Sequence, residues 1–177
     1  MDDLLQRQLG GQSFLQGHRL PDGEATVIVK KPTSREAMER EVEATQALSA
    51  NDPIVQLVKV NKGSRTFEVL QAPGESLESL LRYESLSKPE AENIIFQISI
   101  ALEFMHERKD AFVHGDLSLS SIVYDKESQE VTIIDFSNAY KLSDIPSEFK
   151  KSRFGTRQYM SPAVSYTHLT LPTIYSV

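Results

Sequence analysis

A lysine and two aspartates each stand at or just beyond the end of a short apolar run. Lys30 closes Val27-Ile28-Val29, Asp116 sits in His114-Gly115-Asp116-Leu117 behind Phe112-Val113, and Asp135 opens Asp135-Phe136-Ser137 after Val131-Thr132-Ile133-Ile134. Glu41 lies eleven residues beyond Lys30. These are the residue types that phosphoryl transfer uses. That reaction is mostly positioning and charge neutralisation: it needs a cation on the phosphates, oxygen ligands for magnesium and an acceptor for the attacking hydroxyl's proton. Taken singly, none compels the reading, because a lone lysine is ordinarily solvated and an aspartate after an apolar strand is often a turn former. His18, His106 and His168 lack metal-ligand spacing.

The elements that must position these residues can be read from periodicity. Residues 10–31 are rich in turn formers and end in a β-branched run, which predicts a hairpin leading into a strand bounded by Pro32. Thr33-Ser34-Arg35-Glu36 has capping-box spacing, and Ala37, Met38, Glu41, Val42, Thr45 and Leu48 recur at helical intervals until Asn51-Asp52-Pro53. Residues 54–60 and 66–70 read as further strands, so the first part of the chain is expected to be a small sheet with one helix. Ala72-Pro73-Gly74 starts a linker, and Leu77, Leu80 and Leu81 suggest a short helix. Ser87-Lys88-Pro89-Glu90 caps a longer helix with an apolar stripe of Ile94, Ile95, Ile98, Ala101, Leu102 and Met105. Three short strand-like runs follow, at 112–113, 122–124 and 131–134.

Composition narrows the class. The chain has 177 residues, 40% of them hydrophobic, and no cysteine, which removes disulfides and thiolate metal sites. Its formal net charge of −6 argues against broad nucleic-acid binding. Lys150, Lys151 and Arg153 form one small basic cluster, read as a solvated loop. No secretory signal or membrane-spanning run is evident, so an intracellular, cytoplasmic location is expected.

The order of these residues resembles the protein-kinase family. Its catalytic loop reads His-Arg-Asp-Leu with an asparagine five residues after the aspartate, and its metal motif reads Asp-Phe-Gly at a strand end. His114-Gly115-Asp116-Leu117 and Asp135-Phe136-Ser137 are in register with these. Lys30, Glu41, the linker Pro73-Gly74-Glu75-Ser76-Leu77 and Gly155-Thr156-Arg157-Gln158-Tyr159-Met160-Ser161-Pro162 extend the resemblance over about residues 9–162. It implies an α+β, bilobal kinase-like fold: a small antiparallel sheet plus helix in the N-lobe (1–71), and a mainly helical C-lobe (72–162), truncated after the activation segment. It further implies ATP and Mg2+ as cofactors and a protein as substrate or binding partner. Lys30, paired with Glu41, would contact the phosphates, Asp116 would orient and deprotonate the substrate hydroxyl, and Asp135 would ligate magnesium. Gly10 would belong to the phosphate loop, Val69 would sit at the back of the nucleotide pocket, and residues 70–72, with Leu70 and Ala72, would meet adenine through backbone groups. His114 would be structural.

Departures from the family pattern bear on activity. Gln12 and Leu15 stand where the second and third glycines of the phosphate loop belong, adding side chains where backbone closes over phosphate. Ser121 replaces the asparagine that holds a second magnesium, a weaker oxygen ligand. Ser118 stands where the serine/threonine branch often has a lysine, and loss of one such preorganised charge costs on the order of 10²–10³ in rate. Ser137 replaces the motif glycine. Gly115 replaces an arginine that ordinarily pairs with a phosphorylated activation-segment residue, so Ser152 reads as an ordinary loop serine.

Residues 163–177 are expected to be a non-native tail, because residues 164–177 resemble the in-frame translation of a transposase sequencing adapter. A chain lacking the remaining C-lobe helices is expected to be poorly soluble or only partly folded, its 94–105 stripe short of cover. Three functions follow from the resemblance: phosphorylation of serine or threonine on proteins, which Thr156 favours; a pseudokinase scaffold acting through nucleotide binding or protein contacts; and a small-molecule phosphotransferase, whose loop often reads His-Gly-Asp.

Overall fold

The computed structural model describes residues 14–19, 25–50 and 53–144. Four strands form the first sheet: β1 (Phe14–Arg19), β2 (Thr26–Lys30), β3 (Leu57–Asn61) and β4 (Thr66–Leu70). Their order is β1-β2-β4-β3 and every pairing is antiparallel. In β4 the alternation of a pleated strand buries Phe67 and Val69. Helix α1 (Arg35–Leu48) buries Met38, Glu41, Ala44, Thr45 and Leu48, one stripe at three- and four-residue spacing. Its cap is Ser34, whose Oγ accepts from the Ala37 amide at 3.1 Å, rather than the Thr33 that the sequence spacing suggested.

The third strand is shorter than residues 54–60 and begins at Leu57, because the preceding residues pair elsewhere. Ile54 forms a parallel bridge with Ile133. The Val55 amide donates to the Ile133 carbonyl at 3.0 Å, and the Ile133 amide donates to the Pro53 carbonyl at 2.6 Å. This seam joins the first sheet to the second half of the chain. One continuous apolar core accordingly runs from Ile28, Met38 and Phe67 through Ile54 to Met105, Ile133 and Phe136.

The linker is pinned rather than free. Gly74 turns the chain at φ +88°, and a Cβ there would lie 2.2 Å from the Tyr124 carbonyl oxygen, so only glycine fits. The next residues form β5 (Glu75–Ser76), which pairs antiparallel with β7 (Ile122–Asp125); β8 (Glu130–Ile133) completes the sheet in the order β5-β7-β8. Between them come α2 (Leu77–Tyr83) and α3 (Lys88–His106). Ser87 and Glu90 close the capping box of α3 reciprocally, with proline in its first turn. Ile94, Ala101 and Met105 are buried and Ile98 and Leu102 half-buried, but Ile95 is 64% exposed. Ile95 lies about 100° around the helix from Ile94, off the stripe to which it was assigned. β6 (Phe112–Val113) pairs with β9 (Tyr140–Lys141), bringing the segment after Asp135 back beside the start of the His114 loop.

The α+β class read from the sequence is therefore the observed one. Gly10, Gln12, the basic cluster 150–153, the stretch 155–162 and the tail 163–177 lie outside the described residues.

Candidate functional site

Lys30 is the last residue of β2, opposite Phe67 of β4, and its ammonium lies 5.8 Å from the centre of the Phe67 ring. The side chain is almost completely enclosed, at 6% exposure. A buried cation must be paired, since an uncompensated one costs several kcal/mol. Two carboxylates supply the pairing: Lys30 Nζ donates to Glu41 Oε1 of α1, and to Asp135 Oδ1 at 3.0 Å. Burial opposes the ammonium charge, but attraction to Glu41 and Asp135 outweighs it and holds the Lys30 pKa above its ordinary value. Burial likewise opposes the charge on Asp135, and Lys30 again prevails, keeping that carboxyl below the usual range.

Lys30, Glu41, Val69, Leu70, Ala72 and Asp135 all line one cleft, between the first sheet and the turn after β8. Its walls are mostly apolar, with the charged triad at one side. Phe67, Thr45 and Ile134 also line it and were not singled out from the sequence. Their apolar or β-branched character marks them only as core.

Asp135 occupies the left-handed region at φ +65°, a conformation that costs a non-glycine residue of order 1–3 kcal/mol and persists where surrounding contacts over-determine it. The Ser137 amide, 3.4 Å from Asp135 Oδ1, and the Ala139 amide, which donates to the Phe136 carbonyl at 3.0 Å, close this turn. Phe136 packs beneath it against the His114 ring, with centroids 4.9 Å apart.

His114 is buried and joins the two loops. Its Nδ1 accepts from the Asp116 amide at 3.3 Å, so the ring proton sits on Nε2, which donates to the Ile134 carbonyl at 3.0 Å. Burial pushes its pKa down and keeps it neutral. This structural part is the one the sequence resemblance implied. Gly115 follows at φ +79°, and a Cβ there would lie 2.1 Å from the Asn138 carbonyl oxygen. An arginine cannot take this backbone without displacing the Asn138 turn.

Asp116 is half-buried, and the Asn138 side-chain amide approaches its Oδ2 at 3.5 Å. It does not line the cleft of Lys30 and Asp135. Ser121 is buried, and its hydroxyl is engaged with the loop's own backbone. It accepts from the Ser118 amide at 2.9 Å and has the Ser118 and Asp116 carbonyls at 3.1 and 3.3 Å as acceptors for its one proton. Ser118 Oγ lies 2.7 Å from Ser120 Oγ. Among the described residues no cluster of three or more His, Asp or Glu side chains could hold a metal alone. The Asp135 carboxylate fits a magnesium ion that arrives with phosphate and water ligands, which is how that ion is usually held.

Arg40 was missed by sequence reasoning. It precedes Glu41, donates through Nη2 to the Ser137 carbonyl at 3.1 Å, and stacks on the Tyr140 ring with its guanidinium carbon 4.6 Å from the ring centre. Its partners lie 97 or more residues away, so adjacency to Glu41 was the only signal available.

The family model described as a protein kinase domain matches residues 25–172, and so takes in part of 163–177. The chain is 24% identical over 144 residues to serine/threonine-protein kinase 1 of African swine fever virus, covering 80% of this chain and 47% of the relative. It is 30% identical over 169 residues to ribosomal protein S6 kinase alpha-4 of Mus musculus, covering 90% and 22%. It is 32% identical over 114 residues to the cGMP-dependent protein kinase of Plasmodium berghei, covering 63% and 12%. The chain spans about half the length of the viral relatives it matches. No helix among the described residues is long and apolar enough to cross a membrane.

Proposed function

We propose, from the premise that this chain belongs to the protein kinase domain family, that it carries the nucleotide-handling half of an ATP-dependent kinase acting on serine or threonine of protein substrates. The observation that carries the reading is Lys30, buried between Glu41 and Asp135 on the wall of an apolar cleft. Such a triad fixes one ammonium toward an anionic ligand and sets beside it the Asp135 carboxylate, which shares that ammonium, to meet a metal. The name of the viral relative, a serine/threonine-protein kinase, supports serine/threonine acceptors.

In this reading Lys30, oriented by Glu41, binds the phosphates, Val69, Leu70 and Ala72 accept the base, and Gly10 belongs to the loop above it. Asp135, with Ser121 as a weaker second oxygen, would hold magnesium, which when bound neutralises phosphate charge. Asp116 takes the proton of the attacking hydroxyl, and Asn138 beside it limits its rotation. The lobes divide near residue 72, and an intracellular setting suits the substrate.

A pseudokinase is the second reading, and one observation favours it. The Ser121 hydroxyl is already satisfied by the Ser118 amide and the loop carbonyls, which leaves little of it for a metal. ATP binding and turnover by the full-length protein, with and without magnesium and beside Asp116→Asn, separates the two. Magnesium-dependent transfer lost in the variant supports a kinase; nucleotide binding without turnover moves the assignment to a scaffold.

A further inference from the structure

Asp135 has to hold a costly backbone conformation at the end of β8, yet its own turn contributes only the Ser137 and Ala139 amide bonds. Something outside the turn must over-determine it. Helix α1 does so, through three neighbouring charged residues. Glu41 reaches Asp135 by way of Lys30, Glu43 pairs with Lys141, and Arg40 lies between them with the Ser137 carbonyl on one side and the Tyr140 ring on the other. These differ in strength. The Lys141–Glu43 pair is largely exposed at its Glu43 end, and exposed pairs contribute little.

The Arg40 contacts are of another kind. Arg40 is partly buried, its Nε is buried without a hydrogen-bond partner, and a guanidinium is held in that position only if its remaining contacts compensate. The acceptors are a carbonyl and an aromatic face, both uncharged, so the clamp requires no phosphate on the chain. The planar fork also matches the geometry: Nη2 points to Ser137 while the plane covers Tyr140, which a lysine ammonium cannot do at once.

We propose that Arg40 is a positioning residue: from α1 it clamps the 137–140 turn and thereby holds Asp135 toward Lys30, in the orientation needed to receive a nucleotide-bound divalent cation. The metal-binding part rests on the kinase reading, whereas the clamp itself does not.

The test compares the full-length protein with its Arg40→Met and Arg40→Lys variants by two measurements. Hydrogen exchange reads the turn: Arg40→Met is expected to accelerate exchange of amides 137–139 about tenfold or more while amides 38–45 of α1 keep wild-type protection, and Arg40→Lys to recover part of the loss. Titration with ADP alone and with ADP plus magnesium reads the consequence. The gain in affinity that magnesium confers should fall about tenfold in Arg40→Met, with affinity for metal-free ADP unchanged. Unchanged exchange at 137–139, or equal acceleration along α1, overturns the clamp. Accelerated exchange with an intact magnesium gain overturns the positioning of Asp135. If the full-length wild-type protein binds no nucleotide, the kinase reading falls and the exchange pattern alone decides the clamp.

Discussion

His114 shows how one side chain can tie two loops without taking part in chemistry. Its neutral ring bridges the Asp116 amide and the Ile134 carbonyl from a site that is 4% exposed, and burial holds its pKa below the ordinary value. The unfolded chain binds a proton near pH ~6.5 that the folded chain refuses, so this contribution to stability is full above that pH and is lost as pH falls toward the folded pKa. The loss is bounded at about 1.4 kcal/mol per pH unit for one proton. Urea midpoints at about pH 7.5 and about pH 5.5 should therefore separate more for the wild-type chain than for His114→Gln. Equal separations would show that another group titrates.

Loops and strands meet most tightly at the glycines. Gly115 and Gly74 both hold positive φ where a Cβ would collide with backbone, at 2.1 Å from the Asn138 oxygen and 2.2 Å from the Tyr124 oxygen. Gly63 has no such neighbour, its nearest atom being the Asn61 side-chain oxygen at 3.5 Å. Gly115→Ala is expected to cost about 1–3 kcal/mol or more, because strain and a backbone clash coincide. Gly63→Ala should stay within about 0.5 kcal/mol. Thermal melts of the two variants check the contrast, and a mild Gly115→Ala would mean that the Asn138 turn yields. The collision also shows why glycine suits this position, where the family pattern has arginine: the Asn138 carbonyl lies where a Cβ would stand.

The two halves of the chain are joined by the seam of residues 53–55 with Ile133, the Lys30–Asp135 pair inside the cleft, the contacts of Arg40 and Glu43 with residues 137–141, and a shared apolar core. A ligand filling the cleft would add to these links and stabilise the chain by mass action. At a hundredfold excess over its dissociation constant the gain is about 2.7 kcal/mol, which for a chain of this size raises Tm by roughly 5–10 °C. Magnesium with ADP is expected to give such a shift. Lys30→Met should abolish it, while Asp116→Asn, outside the cleft lining, should keep it. A shift that survives Lys30→Met would place the nucleotide elsewhere.

Much was legible in one dimension because the signals are local. Ser87 and Glu90 announce the start of α3 by their three-residue spacing, and β4 is written in its alternation. Lys30, Glu41 and Asp135 stand out by type and order, whereas Val69, Leu70 and Ala72 are implied by the family resemblance alone; all six line one cleft. What stayed hidden depends on contacts between distant residues. Lys30 and Asp135 are 105 positions apart and Arg40 and Ser137 are 97 apart, and neither separation carries a local pattern. The same holds for β5 on β7, β9 on β6 and the pairing of Ile54 with Ile133 in place of an early start to β3. Short pairings of this kind are selected by the packed core around them, since two-residue strands have too few hydrogen bonds to specify their partners alone.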